Sequence, residues 1–213
     1  MKPRSGLPGR LGRKEREGQL SSLAQELAGF GGRFLELLTA RLALRVPDYN
    51  DASVLHSLLC DSDICRYTPH AASPGLAYTQ ALVAHWNAAR SRGLLTFVIS
   101  KFAADASPFG LAQIKTGRQG GEISFLISPQ DWGRGYAAEA LAEVLALGLR
   151  ATPALRPWAI CDAENQAAGK MLAKIGLLPD KQLPAYRKHP AMSLQPRDCI
   201  LYRQAAQKRQ SQI

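Results

Sequence analysis

The sequence predicts an α+β domain built on a mixed, mostly antiparallel central sheet that is flanked by helices. Three apolar runs follow one another with only short turns between them, which indicates an antiparallel meander of strands. They cover residues 94–101, 109–116 and 122–127. An Ala- and Leu-rich helical pattern over 137–149 and a strand-like run at 158–161 follow the meander. Consecutive strands followed by a strand–helix–strand unit are the plan of an α+β fold.

The residues before the meander predict one strand and two helices. Apolar side chains alternate over residues 39–46, which favours a half-buried strand, and Pro47 ends it. Asn50 or Asp51 is a typical N-cap for a helix that continues to about Cys60. A second helix is predicted from the start signal Ser73-Pro74 to Gly93.

The residues after the strand at 158–161 predict a helix and then a less regular end of the domain. The helix covers 162–175 and ends at Gly176, a residue type common just after a helix. Residues 177–188 have a mixed pattern that assigns them to no regular element, and 199–203 are predicted as the final strand.

Length and composition are those of a single globular domain. The chain has 213 residues, of which 46% are hydrophobic and 21% charged. It has neither eighteen consecutive apolar residues nor the apolar core of a signal peptide, so we expect a cytoplasmic protein without a membrane span. Its four cysteines are widely spaced and lack a C-x-x-C pair, which favours reduced thiols and no metal site.

The formal charge of +10 is concentrated at the two ends of the chain. Six basic and two acidic side chains lie within residues 1–20, and three more basic residues lie after 202. We therefore divide the chain into a basic, flexible extension (1–33), a folded domain (34–204) and a basic tail (205–213). The ends are either solvated extensions or contacts for RNA or the ribosome.

The most informative segment is the glycine turn, residues 130–137, with the sequence Gln-Asp-Trp-Gly-Arg-Gly-Tyr-Ala. It lies between the strand 122–127 and the helix that follows. Glycines let backbone N–H groups approach a ligand closely, and a helix N-terminus adds partial positive charge. The segment therefore predicts an anion site, most simply for phosphate.

Two known classes of nucleotide-binding loop also place glycines between a strand and a helix. A P-loop requires Lys-Ser or Lys-Thr directly after the second glycine, and neither pair follows the glycines of this turn. A dinucleotide fingerprint requires a third glycine, where this chain has Ala138, and a place near the start of a repeated strand–helix unit. A turn that binds nothing is the remaining alternative.

The pattern Gln130-x-x-Gly133-x-Gly135 resembles the acyl-coenzyme A loop of the GNAT N-acetyltransferase superfamily. The wider string Trp-Gly-Arg-Gly-Tyr-Ala-Ala-Glu-Ala-Leu is similar to the branch of Rim-type acetylases of ribosomal-protein N-termini. A second match runs from Asn165 to Lys174-Ile-Gly176, although Ala168 replaces a frequent serine. The resemblance covers about residues 36–204 and implies a sheet that splays between its fourth and fifth strands, 122–127 and 158–161.

The resemblance implies acetyl-CoA as co-substrate and assigns residues to it. The pantetheine arm would lie in the splay, and the pyrophosphate would lie on the backbone of the glycine turn. Asn165 would bond the arm or cap the helix beside it. The cofactor-binding residues predicted are Phe125, Leu126, Ile127, Gln130, Gly133, Arg134, Gly135, Tyr136, Ala137 and Asn165.

Three residues are candidates for proton transfer. Glu122 begins the strand before the glycine turn, where the superfamily often places a carboxylate, and we predict it as the general base. Tyr202 is predicted as the general acid, with Tyr186 as a second candidate. Glu122 also fits a plainer role, that of an exposed glutamate at the start of a strand.

The resemblance predicts an N-acetyltransferase that moves an acetyl group from acetyl-CoA to a primary amine by direct attack in a ternary complex. The amine belongs to a protein N-terminus or a small molecule, and its binding residues are expected within 61–74 and 179–196. The alternatives are a non-catalytic acyl-CoA sensor or scaffold and a ribosome- or RNA-associated protein that uses its basic ends. Either a monomer or a homodimer fits the sequence.

Overall fold

The computed structural model describes residues 36–102 and 106–204. The predicted basic extension and basic tail, 1–33 and 205–213, lie outside the described residues. The boundaries of the folded domain at 34 and 204 therefore stay a prediction, although the last described strand ends at Gln204.

The described residues form one eight-stranded sheet in the order β1-β2-β3-β4-β5-β6-β8-β7. Every neighbouring pair is antiparallel except β5 and β6, which are parallel, so the predicted mixed, mostly antiparallel sheet is confirmed. The strands are β1 Glu36–Leu38, β2 Leu42–Arg45, β3 Leu94–Lys101, β4 Gly110–Gly117, β5 Gly120–Ile127, β6 Pro157–Asp162, β7 Leu177–His189 and β8 Ser193–Gln204.

Helices cover both faces of the sheet. The helices are α1 Ala52–Leu59, α2 Ser62–Cys65, α3 Leu76–Ala89, α4 Tyr136–Ala151 and α5 Gln166–Lys174. Val98 and Leu111 of the sheet join a core cluster with α1 and α3, and we call this side the α3 face. Ile123, Ile114 and Leu141 belong to the larger cluster with α4 and α5, on the α4 face. Because side chains alternate along a strand, the two faces are supplied by alternate residues.

The parallel strands β5 and β6 separate soon after they meet. They pair at Gly121 with Pro157 and at Glu122 with Trp158, and no later residue of β5 pairs with β6. β6 pairs along its other edge with β8. Residues 123–127 therefore line an opening in the sheet on the β6 side, and Glu122 lies at its vertex. This is the predicted splay between the fourth and fifth predicted strands.

Two segments differ from the sequence-based expectation. Of the residues predicted as one strand over 39–46, only 42–45 form a strand, β2. Residues 39–41 form the turn that joins β1 to β2, where the Leu42 N–H donates to the Thr39 hydroxyl at 2.9 Å. Residues 177–188, which the sequence assigned to no regular element, belong to the long edge strand β7, and this strand pairs with β8. Its prolines resemble strand breakers, but an edge strand with register shifts tolerates prolines that a central strand would exclude.

Candidate active site

The glycine turn connects the open end of β5 to the first turn of α4. Gly133 and Gly135 have φ angles of +74° and +80°, in the left-handed region that side chains with a Cβ avoid. Gly135 is the residue immediately before α4, which begins at Tyr136. The first N–H groups of an α-helix have no partner within the helix. The turn therefore directs backbone donors and a helix dipole to the end of the opening, as an anion site requires.

A residue without a predicted role, Arg41, fixes the start of α4. Its backbone N–H and its Nε donate to the Glu139 carboxylate at 3.0 and 2.7 Å, and its Nη2 lies 2.6 Å from the same group. Thr39 donates to Glu139 at 2.6 Å. Arg41 Nη1 also donates to the Arg134 carbonyl at 3.1 Å. One arginine thus connects the β1–β2 turn, the glycine turn and the first turn of α4.

The charge on Glu139 and the ring of Tyr136 both contribute to this attachment. Burial raises the pKa of Glu139, but the hydrogen bonds from Thr39 and Arg41 outweigh burial and hold the pKa below its usual value. The Arg41 guanidinium stacks 4.6 Å from the Tyr136 ring, which lies 5.4 Å from the Phe109 ring. Tyr136 therefore packs between the turn and the core.

The other end of the glycine turn is attached independently. Buried Asp131 pairs with Lys101 at 3.1 Å and lies 4.0 Å from the Arg134 guanidinium. The Trp132 indole N–H donates to the Ile127 carbonyl at 2.7 Å. The turn is thus fixed by side chains on both sides, while Gln130 and Arg134 are themselves exposed.

The predicted pantetheine residues lie along the opening. Phe125 and Ile127 pack toward the α4 face, and Leu126 packs toward the α3 face. The β5 backbone between them lacks a strand partner on the β6 side, so an extended ligand can hydrogen-bond to it. Asn165 is the N-cap of α5, and its Oδ1 accepts from the Ala168 N–H at 3.0 Å. The bond uses the amide oxygen, and the amide nitrogen carries two further donor hydrogens.

Tyr202 lies on the α4 face of β8, and β6 separates β8 from the opening. Tyr202 is buried in β8 next to β6, and a methyl group at Gly169 of α5 would overlap its hydroxyl. Burial, together with Cys161, raises the pKa of Tyr202. Burial also raises the pKa of Cys161 to about 11, against the opposing hydrogen bond from Tyr202. Both groups therefore keep their protons at neutral pH.

Glu122 lies at the vertex but on the α3 face, opposite Tyr202. It pairs with Trp158, which pairs with Arg203 on β8, and the preceding Tyr202 therefore projects from the other face. A side-chain oxygen of Glu122 lies 3.5 Å from the Arg187 guanidinium. Glu122 and Tyr202 thus lie on opposite faces of the sheet. Tyr186, the second candidate acid, is half-exposed.

A buried ionic cluster anchors the β7–β8 hairpin. Asp162, at the end of β6, receives Arg197 Nε at 2.7 Å and lies 3.5 Å from His189 Nε2. The other ring nitrogen of His189 lies 3.1 Å from the Thr68 carbonyl in the loop after α2. Burial raises the pKa of Asp162, but hydrogen bonds from Arg197 and the Glu164 N–H hold it below its usual value. The cluster joins the two segments predicted to bind the acceptor, 61–74 and 179–196.

Two features typical of other protein classes are absent from the described residues. No helix in this part of the chain combines the length and apolar character needed to span a membrane. No group of three or more His, Cys, Asp or Glu side chains among these residues is arranged to hold a metal ion.

Known proteins share sequence and fold with this chain. A family model described as an acetyltransferase (GNAT) domain matches residues 41–178. An uncharacterized N-acetyltransferase, YoaA of Bacillus subtilis, is 23% identical over 155 residues, 70% of this chain and 86% of its own.

Two solved structures share the fold at lower identity. RimJ of Mycobacterium smegmatis, in complex with CoA-disulfide, superposes with a TM-score of 0.67 at 20% identity, over 76% of this chain and 80% of its own. Ribosomal-protein-S5-alanine acetyltransferase of Vibrio fischeri superposes with a TM-score of 0.70 at 14% identity, over 80% and 96%.

Proposed function

This chain belongs to the GNAT acetyltransferase family and is an acyltransferase, and we propose that it moves an acetyl group from acetyl-CoA to a primary amine. One observation carries the proposal. The opening between β5 and β6 ends at the glycine turn, so a site for an extended arm is continuous with a site for phosphate. Acetyl-CoA combines these two parts and supplies a thioester-activated acetyl group.

The residues present fit such a co-substrate. The backbone of Gly133 to Ala137 is suited to the pyrophosphate, and exposed Arg134 can add a charge-assisted bond. The edge of β5 that lacks a β6 partner at Phe125 to Ile127 and the Asn165 amide nitrogen are suited to the pantetheine arm. These assignments depend on backbone conformation, and Arg41 is assigned a positioning role because it fixes the turn.

We assign Glu122 and Tyr202 to different halves of the reaction. Glu122, on the α3 face, would accept a proton from the incoming amine, directly or through water. Tyr202, on the α4 face, would donate a proton to the departing thiolate, because burial keeps its hydroxyl protonated. The arrangement requires the amine and the co-substrate to meet at the vertex from opposite faces.

Direct attack in a ternary complex is favoured over a covalent acetyl-cysteine. Cys161 is the cysteine beside the opening, and a pKa of about 11 leaves almost none of it as the nucleophilic thiolate at neutral pH. Holding both reactants together supplies much of the rate without a protein nucleophile.

The acceptor class is open between protein N-termini and small amines. The acetyltransferase of Vibrio fischeri is named for a ribosomal-protein alanine, and this supports a protein N-terminus as the first acceptor to test. The basic ends of the chain would assist an encounter with a ribosome.

The test is thiol release from acetyl-CoA with a panel of amines, including ribosomal-protein N-terminal peptides. Release that depends on an amine is the expected result. Binding of acetyl-CoA without release for any amine would favour the sensor or scaffold alternative. Salt-dependent RNA binding that is lost on removal of residues 1–30 would support a function of the basic ends.

A further inference from the structure

The Glu122–Arg187 ion pair lies where the proposed acceptor amine must enter. Glu122 is at the vertex on the α3 face, and its oxygen is 3.5 Å from Arg187 Nη2. The exposed fractions of the Glu122 and Arg187 side chains are 28% and 25%, so both side chains are partly buried. An amine that reaches Glu122 therefore has to compete with a guanidinium, and this step rests on the acetyl transfer proposed above.

The β7–β8 hairpin is shaped to bring Arg187 to this position. Its register shifts between Leu183 and Arg187, and such a bulge redirects the side chains that follow it. Within the bulge, Ala185 has a φ of +46°, an unfavourable conformation for a residue with a Cβ. Its N–H donates to Asp198 Oδ1 at 2.8 Å, which holds the bulge in place.

A row of polar side chains on the same face leaves an acceptor oxygen near the vertex. Ser124 Oγ donates to Gln113 Oε1 at 3.1 Å, and Gln113 Nε2 donates to Thr96 Oγ1 at 2.8 Å. Because the Ser124 hydrogen is used within the row, its lone pairs remain to accept from an N–H group. Ser124 and Glu122 lie two residues apart on one face of β5, so an ammonium group can meet both oxygens.

We infer that Arg187 is a specificity-determining residue that selects amines with a carboxylate close to the reacting nitrogen. When an ammonium group pairs with Glu122, Arg187 loses its carboxylate partner while it is partly buried, which is unfavourable. A carboxylate on the substrate replaces that partner. The Glu122–Arg187 ion pair is then exchanged for two ion pairs, one between Glu122 and the substrate ammonium group and one between Arg187 and the substrate carboxylate. A polyamine offers no anion and adds a like charge, so it is rejected.

The charges around Arg187 support the same selection. Lys181 and Lys188 are exposed on the same hairpin, and Arg197 is paired with Asp162 and Glu164. A second cationic group on a substrate would therefore meet mainly positive charge there. The required chemistry occurs both in a free amino acid and at a polypeptide N-terminus with an acidic residue, and the experiment separates these sources.

The experiment compares thiol release from acetyl-CoA for matched acceptors. The probes are the tetrapeptide amides Ala-Glu-Ala-Ala, Ala-Gln-Ala-Ala and Ala-Lys-Ala-Ala, free glutamate, and spermidine. We expect kcat/KM for the glutamate-containing peptide to exceed that for the lysine-containing peptide by about tenfold, the effect of one partly buried charge-assisted bond. A higher value for free glutamate than for the peptide would identify a small-molecule acceptor.

Variants at two neighbouring residues separate a specific contact from general charge. Arg187→Ala is expected to reduce the preference to within about twofold, and Arg187→Glu to reverse it in favour of the lysine-containing peptide and spermidine. Lys188→Ala removes the same charge one residue away, from an exposed side chain, and is expected to keep the preference. Equal values for acidic and basic peptides in the wild type, or an unchanged ratio in Arg187→Ala, would overturn the inference.

A binding measurement keeps this test independent of turnover. If acetyl-CoA binds but no amine releases thiol, the proposed transfer fails, and the same peptides are titrated calorimetrically into CoA-saturated protein. Tighter binding of the acidic peptide that is lost in Arg187→Ala supports the inference. Equal or absent binding of the acidic and basic peptides contradicts it.

Discussion

The glycine turn and the β7–β8 hairpin lie at the same opening, but they are held in different ways. The turn is held by its own glycine conformations and by short bonds from Arg41, Asp131 and Trp132. The hairpin is held by a buried ionic cluster between distant segments and contains register shifts and a strained alanine. We infer that the turn provides a rigid site for the proposed co-substrate, while the hairpin is a surface that can vary with the proposed acceptor.

The largest expected effect is on the hairpin, through Asp162. Asp162→Ala removes the anion shared by Arg197 and His189 and leaves buried positive or polar groups without it, so we expect a loss of about 3 kcal/mol in the free energy of unfolding. Chemical denaturation measures this loss. The exposed pair Arg203–Asp180 on the same hairpin is the matched control, and Asp180→Ala is expected to change stability by less than about 1 kcal/mol.

The same carboxyl group gives a pH test with a defined sign. The pKa of Asp162 is lower in the folded protein than its ordinary value near 3.9. Its stabilisation is therefore complete above that ordinary value and is lost as the pH falls through the folded pKa. The Asp162→Asn variant should therefore be less stable than the wild type at neutral pH. This difference in stability should be smallest at the lowest pH, where Asp162 of the wild type is protonated and uncharged as well. A difference between the two proteins that stays constant below pH 4 would contradict this account.

The second effect concerns the glycine turn and should change affinity. Gly135→Ala places a Cβ at a φ of +80°, which costs about 1–2 kcal/mol and reshapes the turn. We expect acetyl-CoA to bind about a hundredfold more weakly, because several backbone donors are displaced together. Calorimetric titration measures the change in Kd.

Gly176→Ala is the matched control for the glycine test. Gly176 has a φ of +82°, and a Cβ there would meet no atom within 4 Å. Gly176 lies after the end of α5, away from the glycine turn. The Gly176→Ala variant should therefore lose about as much stability as Gly135→Ala and keep its affinity for acetyl-CoA. Equal losses of affinity in both variants would mean that the turn is not the binding site.

These two regions also show what the sequence could predict. The glycine turn depends on local backbone geometry at Gly133 and Gly135. Adjacent residues determine this geometry, so the sequence predicts it. Arg41 and Glu139 are 98 residues apart, and nothing in a single sequence pairs them. The prolines of β7 resemble strand breakers, and only the position of β7 at the sheet edge makes them acceptable. The place of Glu122 at a strand start is visible in the sequence, but its partner Arg187 depends on the hairpin's path.

The third effect tests the arginine that joins the turn to α4. Arg41→Ala should weaken acetyl-CoA binding about tenfold, because the turn loses its bond to the Arg134 carbonyl. Binding of S-acetylpantetheine, which lacks the pyrophosphate, should change by less than about twofold. Arg150→Ala breaks another Arg–Glu pair on α4, 3.0 Å long and away from the turn, and should affect neither ligand.

A parallel loss for both ligands in Arg41→Ala would assign Arg41 a general structural role. Arg41→Lys provides a further check, because a lysine keeps the charge but cannot bond Glu139 and the Arg134 carbonyl in the same fork. It should recover only part of the lost affinity.

The smallest effect concerns thiol reactivity at the opening. With a pKa of about 11, Cys161 should be alkylated by iodoacetamide at pH 8 far more slowly than exposed Cys60. Mass spectrometry of timed samples identifies the order. Acetyl-CoA should slow the reaction of Cys161 further and leave that of Cys60 unchanged, since only Cys161 lies beside the proposed pantetheine site.

Thermal unfolding with and without acetyl-CoA tests the central claim, that the opening and the glycine turn together bind this co-substrate. At a hundred times its Kd, a ligand of the folded state adds about 2.7 kcal/mol to the free energy of unfolding. For a domain of this size, that corresponds to a rise in Tm of roughly 5–10 °C. We predict this rise for the wild type and a much smaller one for Gly135→Ala at the same concentration. An unchanged Tm of the wild type at millimolar acetyl-CoA would contradict the claim.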